Sequence, residues 1–320
     1  MRLTTREKEI VQVLKKEPLI TQDELANRLG ISRSSIGVHI SNLIQKGVIL
    51  GKGYVFNEEV SIAVIGESYI LINVKPEDNN PILDIEYSGF AVEMSRALAN
   101  FGVNVKVITV TGNDEIGTNI ANLLHGKQVD VSNIYRHPNK RSYRRICING
   151  SKRYEETFAL EDYDKALNAK EWVVFNSEWL VVAPKLQEII YTKSANRDEE
   201  NLPYFCTYKI LDFPEEISES LSRYNVVILG VKTEEHLQYY IEKAQNIVRN
   251  NVDNCIITDG VSGMAYYCKE EVMDFALLPN QGFSLENLSL LLAGIVYGLS
   301  SNYPIRQAIR IGVGAASASG

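Results

Sequence analysis

The chain has 320 residues, of which 45% are hydrophobic and 23% charged, with a net charge of -7. These are ordinary values for a protein with a buried core, and the length points to about two domains. No run reaches the roughly 18 apolar residues of a membrane span, the N-terminal MRLTTREKEI lacks a signal peptide's apolar core, and Cys147, Cys206, Cys255 and Cys268 form no CxxC pair, so membrane insertion, export and a zinc or dithiol site are not expected and the cytoplasm is.

The charge is uneven. Residues 1–57 carry nine Lys/Arg and five Asp/Glu, and by subtraction residues 58–320 carry 24 and 35. A basic head on an acidic body assigns any polyanion to the head.

In that head, residues 4–16 place Ile10, Val11 and Leu14 on one helical face, and Pro18 ends the helix. Thr21 and Glu24 form a Thr-x-x-Glu capping box for a second helix through Leu25, Ala26 and Leu29, which stops at Gly30. Ser32 caps the next helix, from Arg33 to about Gln45, with Ile36, Ile40, Leu43 and Ile44 as its core face. Two short helices joined by a tight Gly-containing turn are the helix-turn-helix pattern. Val48-Ile49-Leu50 and Tyr54-Val55-Phe56 around Gly51-Lys52-Gly53 then read as a β-hairpin wing. Residues 20–49 resemble the winged helix-turn-helix regulators of bacteria. That resemblance implies a second helix in the major groove of double-stranded DNA, with Arg33, Ser34, Ser35 and His39 at base edges and Lys46 and Lys52 on phosphates.

From residue 58 the texture changes. Ser61–Gly66 reads as a buried first strand, followed by a helix at 91–101, a strand at 105–110 and a helix at 115–125. Further strands are expected at 171–175, 179–182, 203–207, 225–229 and 254–258, and helices at 214–222, 234–250, 285–300 and 304–318. Segments 67–87 and 143–158 read as short strands of a small lid sheet. The alternation predicts an α/β domain at 58–320, a parallel sheet with helices on both faces, after a DNA-binding domain at 1–57.

Ser88-Gly89-Phe90-Ala91, the Gly-x-Asp-x-x-Gly turn Gly112–Gly117, the Thr-x-Gly-x-x-Gly loop Thr258–Gly263 and Leu292–Leu299, in that order, make residues 61–318 similar to the ribokinase-like (PfkB-type) carbohydrate kinases. The resemblance implies nucleotide contact by Thr258, Gly260, Gly263 and Glu235, the last being what remains of a magnesium-organising Asn-x-x-Glu at Lys232–Glu235. ATP and magnesium are the implied cofactors if that contact is retained; no metal site is assigned. The substrate cleft maps to Tyr69, Leu71, Gly89 and Glu93, where Leu71 replaces the family's sugar-binding Asp and Glu93 its Asn.

The family's catalytic Gly-Ala-Gly-Asp supplies an anion hole and a base. Counting back from Gly294, its positions hold Glu286, Asn287, Leu288 and Ser289, so Ser289 stands where the base belongs. A second register, Gly282–Leu285, also lacks an acid. Glu286 is the remaining carboxylate, and its place in the first helical turn behind Ser284 equally fits a cap.

Two readings follow. The first is a DNA-binding transcription regulator whose degenerate kinase domain senses a sugar, nucleoside or nucleotide, dimerising through its lid strands. The second is an active carbohydrate or nucleoside kinase, for pseudouridine as an example, that also binds DNA. A third, a scaffold without any small ligand, also stays open.

Overall fold

The computed structural model describes residues 4–17, 20–45, 49–51, 55–56, 61–75, 82–197, 202–249, 252–268, 272–277 and 280–318. The head is three helices, α1 (Thr5–Lys16), α2 (Gln22–Leu29) and α3 (Arg33–Gln45), followed by antiparallel strands β1 (Ile49–Gly51) and β2 (Val55–Phe56). Capping boxes open α1 at Thr4 with Glu7 and α2 at Thr21 with Glu24, and Gly30 closes α2 in the left-handed region at φ 65°. Ile10, Leu14, Leu25, Ile36, Ile40, Leu43 and Ile49 form one buried cluster. Ile44, expected in that core, is instead 48% exposed, because Leu43 takes the inward position of the last turn and Ile49 of the wing completes the cluster.

The larger part begins with β3 (Ile62–Ile65), buried throughout, then the lid strands β4 (Tyr69–Lys75) and β5 (Ile82–Ser88) and helix α4 (Phe90–Asn100). After β6 (Val105–Ile108) come the short β7 (Val110–Gly112), α5 (Glu115–His125), β8 (Tyr135–His137) and two more lid strands, β9 (Arg144–Ile148) and β10 (Ser151–Glu156). Next are α6 (Leu160–Ala169), α7 (Glu171–Asn176), β11 (Trp179–Val182), α8 (Gln187–Ser194), β12 (Tyr204–Ile210) and β13 (Val226–Gly230). The chain ends with α9 (Glu234–Arg249), β14 (Asn254–Thr258), β15 (Met264–Cys268), β16 (Val272–Phe275), α10 (Leu288–Ser300) and α11 (Ile305–Ser317).

The main sheet has the order β16-β15-β14-β13-β12-β11-β3-β6, parallel except at β15 and β16. From β3 the chain crosses to β6 on one side; from β11 it steps through β12, β13 and β14 to the other. Right-handed crossovers running in opposite directions put their helices on opposite faces. They also leave a crevice where the direction reverses, at the carboxyl ends of β3 and β11. The lid, order β10-β9-β4-β5, follows directly from β3.

Two expectations fail here. Residues 171–175, expected as a strand, form α7: Val174 and Phe175 turn inward while Trp172 stays exposed, and the Asn176 and Ser177 side chains bond the carbonyls of Trp172 and Val173 at its end. Of the helix expected at 214–222, only a 3-10 turn at Glu219–Arg223 forms, capped by Ser218. Pro214 has no amide to donate, and the Glu215 carboxylate is used on the Asp212 amide and on Lys209. Among the described residues no helix is long and apolar enough to cross a membrane.

Candidate functional site

Helix α3 carries the face expected to meet DNA. Ser32 caps it through Ser35 N at 3.1 Å, and its hydroxyl also contacts those of Ser34 and Ser35, both at 2.8 Å. Arg33 extends from the first turn and reaches Asp23 of α2 at 3.5 Å, with both side chains largely in solvent. His39 is half-buried at the edge of this face, whereas Val38 is 60% exposed and Ser41 is exposed beside it. Sequence reasoning missed Val38, although an apolar residue one turn from the helix start is suited to a thymine methyl. Lys46 and Lys52 lie outside the described residues.

The second region is the crevice at the ends of β3 and β11. The chain leaves β3 through Gly66 and Glu67, whose carbonyl accepts the Ala91 amide of α4 at 3.0 Å. Gly89, at φ 108°, lets the two segments meet; a Cβ there would lie 2.6 Å from Glu67 O. The Glu93 carboxylate accepts from Ser88 Oγ at 2.6 Å and from the Gly89 amide at 3.3 Å, closing the first turn of α4 on itself. Tyr69 is buried and packs against Tyr143 with ring centroids 4.6 Å apart and the rings tilted by 39°. From the lid, Arg145 lies 4.5 Å above the Tyr69 ring and donates to the Tyr69 and Tyr143 hydroxyls and to Glu155. Bonds from Lys152 and Tyr143, then Arg145, hold the Glu155 carboxyl down to about 2. Leu71 pairs with Arg145 across the lid and so shares its face. Tyr69, Gly89 and Glu93 are thus brought together, and Leu71 lines the strand above them.

Glu67 was not singled out from the sequence. It is half-buried as a residue, but its Oε2 is sealed from solvent and has no hydrogen-bond partner among the described residues. Burial pushes its carboxyl up from the ordinary range. The available signal was its position, a carboxylate directly behind the first buried parallel strand.

The Gly-x-Asp-x-x-Gly turn anchors the lid. Asp114 caps α5 through the Gly117 amide at 3.0 Å and accepts from the Ser142 amide and hydroxyl at 2.8 and 2.5 Å. Burial opposes ionisation there, yet these bonds keep its carboxyl below the usual value.

The Thr258–Gly263 loop follows β14. Thr258 Oγ1 accepts from the Gly260 amide at 3.0 Å and donates to the Gly263 carbonyl at 2.9 Å. The Asp259 carboxylate takes the Val261, Ser262 and Gly263 amides at 2.9, 2.9 and 3.2 Å, and the Ser262 hydroxyl. Burial again opposes the charge, but the bonds prevail and hold the carboxyl low. Beside the loop runs a groove of about 770 Å³ lined by Val272, Phe275, Gln281, Arg306, Ile309 and Arg310. Glu235 is exposed in the first turn of α9, and Lys232 pairs with Asp212.

At the start of α10 a 3-10 turn, Leu285–Asn287, is capped by Ser284 through the Glu286 amide at 3.2 Å. Glu286 is exposed, Ser289 is only 3% exposed, and Leu288 packs onto Gly230 at the end of β13. Asn287 Nδ2 donates to the Ala316 carbonyl at 3.1 Å.

Comparison with known proteins agrees with both halves. Residues 3–49 match the family described as winged helix-turn-helix DNA-binding, and residues 60–281 match the pfkB family of carbohydrate kinases. An uncharacterized sugar kinase of Escherichia coli, YeiI, is 33% identical over 148 residues, 42% of this chain and 39% of that kinase, so the match spans well under two thirds of the relative. An uncharacterized HTH-type transcriptional regulator of Pyrococcus horikoshii is 25% identical over 134 residues, 40% of this chain and 80% of the relative. Among solved structures, a Thermotoga maritima ribokinase superposes with a TM-score of 0.61 at 15% identity, over 81% of this chain and 92% of the other. A Methanocaldococcus jannaschii nucleoside kinase gives 0.57 at 18% identity, over 80% and 90%. At these identities the structures establish the fold.

Proposed function

This chain belongs to the pfkB family of carbohydrate kinases and carries a winged helix-turn-helix module ahead of it, and on that premise we propose that it is a DNA-binding regulator whose kinase-like domain senses a small ligand without phosphorylating it. The boundary we assign falls between residues 57 and 58. In this reading α3 enters the major groove, Arg33 exchanges its exposed partner Asp23 for a guanine edge, and Ser34 and Ser35 contact bases or phosphates. The ligand, a sugar, nucleoside or nucleotide, occupies the crevice of Tyr69, Gly89 and Glu93 under the lid and shifts the DNA-binding state.

The observation that carries the inactive reading is the start of α10. Phosphoryl transfer needs a base at the acceptor and free amides at the developing charge. Here the base position is a buried serine, the nearby carboxylate faces solvent, and Leu288 fills the approach over Gly230. The Asp259 carboxylate satisfies the amides of the glycine loop as well. The test is an ADP-release assay with ribose, fructose phosphates, adenosine and pseudouridine. Turnover that disappears in Glu286→Gln would favour the second reading, an active kinase, for which the groove beside Thr258–Gly263 speaks.

The dimer is assigned to the outer face of the lid. Register places Ile72, Val74, Leu83, Ile85, Ile146 and Ile148 on one side, opposite Leu71 and Arg145. Leu83 and Ile85 are 57% and 53% exposed. An apolar strand face left in water is an association site.

A further inference from the structure

Resting on the sensing reading above, we propose that the ligand of this crevice carries a protonated amine, as an amino sugar or an aminated nucleoside does, and that the Glu67 carboxylate is its partner. Glu67 Oε2 is sealed from solvent with no hydrogen-bond partner among the described residues, and so is the hydroxyl of Tyr163 on α6. Burial pushes the Tyr163 phenol up, and the Glu67 charge acts in the same direction. A buried acceptor or hydroxyl left unpaired costs about twice what a made hydrogen bond returns, so such groups call for a partner that comes from elsewhere.

The charge of that donor follows from the surroundings. Glu67 sits behind β3 at the reversal point of the sheet, and the charge of Glu93, an exposed residue whose carboxylate is held by Ser88 and Gly89, acts on it. Arg145 is committed to Glu155 at 2.8 Å and neutralised by it. Lys185, behind β11, bonds only the uncharged Thr157 Oγ1 and Phe158 carbonyl among its described contacts and lies 5.6 Å over the Tyr163 ring. Lys185 and Arg145 both act on the Glu67 charge, but Arg145 is already paired with Glu155, which leaves Lys185 alone to offset Glu67 and Glu93. The aromatic faces act in the same direction: Tyr69 already carries the Arg145 guanidinium and Tyr163 the Lys185 ammonium, the arrangement that ring quadrupoles favour for cations. Leu71 offers a sugar hydroxyl no acceptor, whereas an ammonium beside Glu67 stabilises the ionised carboxylate that burial alone disfavours.

The test is calorimetric titration of the full chain with matched pairs: glucosamine and galactosamine against glucose and galactose, and aminodeoxyadenosine against adenosine. The expected result is an amine that binds roughly tenfold or more tighter than its hydroxyl parent, with the preference falling to about twofold or less in Glu67→Gln. Tyr163→Phe, which removes the unpartnered hydroxyl, should raise the Tm of the free protein while weakening the same amine, so it reads the site even if the Glu67 variant folds poorly. Hydroxyl parents binding as tightly as the amines, or no amine binding at about 10 mM, would overturn the proposal. The sensing reading is judged separately, by whether a bound parent sugar or nucleoside alters affinity for DNA.

Discussion

Gly260 and Gly263 belong to the same loop, yet the structure predicts very different costs for replacing them. Gly260 sits at φ 75°, and a Cβ there would lie 2.3 Å from the Phe283 carbonyl oxygen. Its own carbonyl accepts the Phe283 amide at 2.8 Å, so the loop is pinned to the segment that leads into α10. Gly260→Ala therefore imposes a left-handed alanine, about 1–2 kcal/mol, and a backbone overlap that nothing can relieve without moving Phe283, a further 1–3 kcal/mol. At Gly263 a Cβ would meet only the Phe275 carbonyl, at 3.9 Å, and the backbone is ordinary. Gly263→Ala should cost under about 1 kcal/mol. Urea unfolding of the two variants should separate their stabilities by about 2–4 kcal/mol at equal m-value. Equal midpoints would refute the pinning. A consequence follows for nucleotide tests: loss of ATP protection in a Gly260 variant reports a broken joint, whereas loss in Gly263→Ala reports the loop itself.

Arg33→Ala should weaken binding to a selected DNA site by about 1–3 kcal/mol and relax preference at one base position, with unchanged Tm because its partner Asp23 is a solvent-exposed pair; unchanged anisotropy titrations would remove α3 from the groove. Asp114→Ala deletes the α5 cap and both bonds to Ser142, and should cost about 3 kcal/mol with faster hydrogen exchange in β9. Asp114 and Glu155 both titrate below their ordinary values, so they stabilise the fold fully above about pH 4.5, and that contribution is lost as pH falls towards about 2. Acid titration followed by circular dichroism should show this loss blunted in the Asp114→Ala, Glu155→Gln double variant. Leu83→Glu places a charge in the exposed apolar face of the lid, to which we assign the dimer, and should leave monomers in sedimentation without lowering stability by more than about 1 kcal/mol.

Much of this architecture is legible in the chain because local signals agree with tertiary ones. Thr21, Glu24 and Gly30 fix both ends of α2 by capping chemistry alone, and the all-apolar runs at β3, β11 and β13 do form buried parallel strands. Reading fails where context overrides pattern. Trp172-Val173-Val174-Phe175 has strand composition, but its neighbours α6 and β11 leave no ladder for it to join. Helices α6 and α8 and the antiparallel pair β15 and β16 were not anticipated; of these, α8 carries only weak periodicity. At the crevice, the family motifs lead to Tyr69, Gly89 and Glu93, whereas Glu67 becomes visible only when burial and the missing partner are known. Lys46 and Lys52 lie outside the described residues.

The central claim is that a ligand in the kinase-like domain controls DNA binding without being phosphorylated. It is tested most directly by titrating the full chain onto a DNA fragment selected by the protein itself, with and without sugars, nucleosides and their amines, while ADP release is followed in the same samples with ATP and magnesium. The account predicts that at least one ligand shifts DNA affinity by about 5–150-fold while ADP stays at the background of ATP alone. Robust ADP release with DNA affinity unchanged by every bound ligand would contradict it.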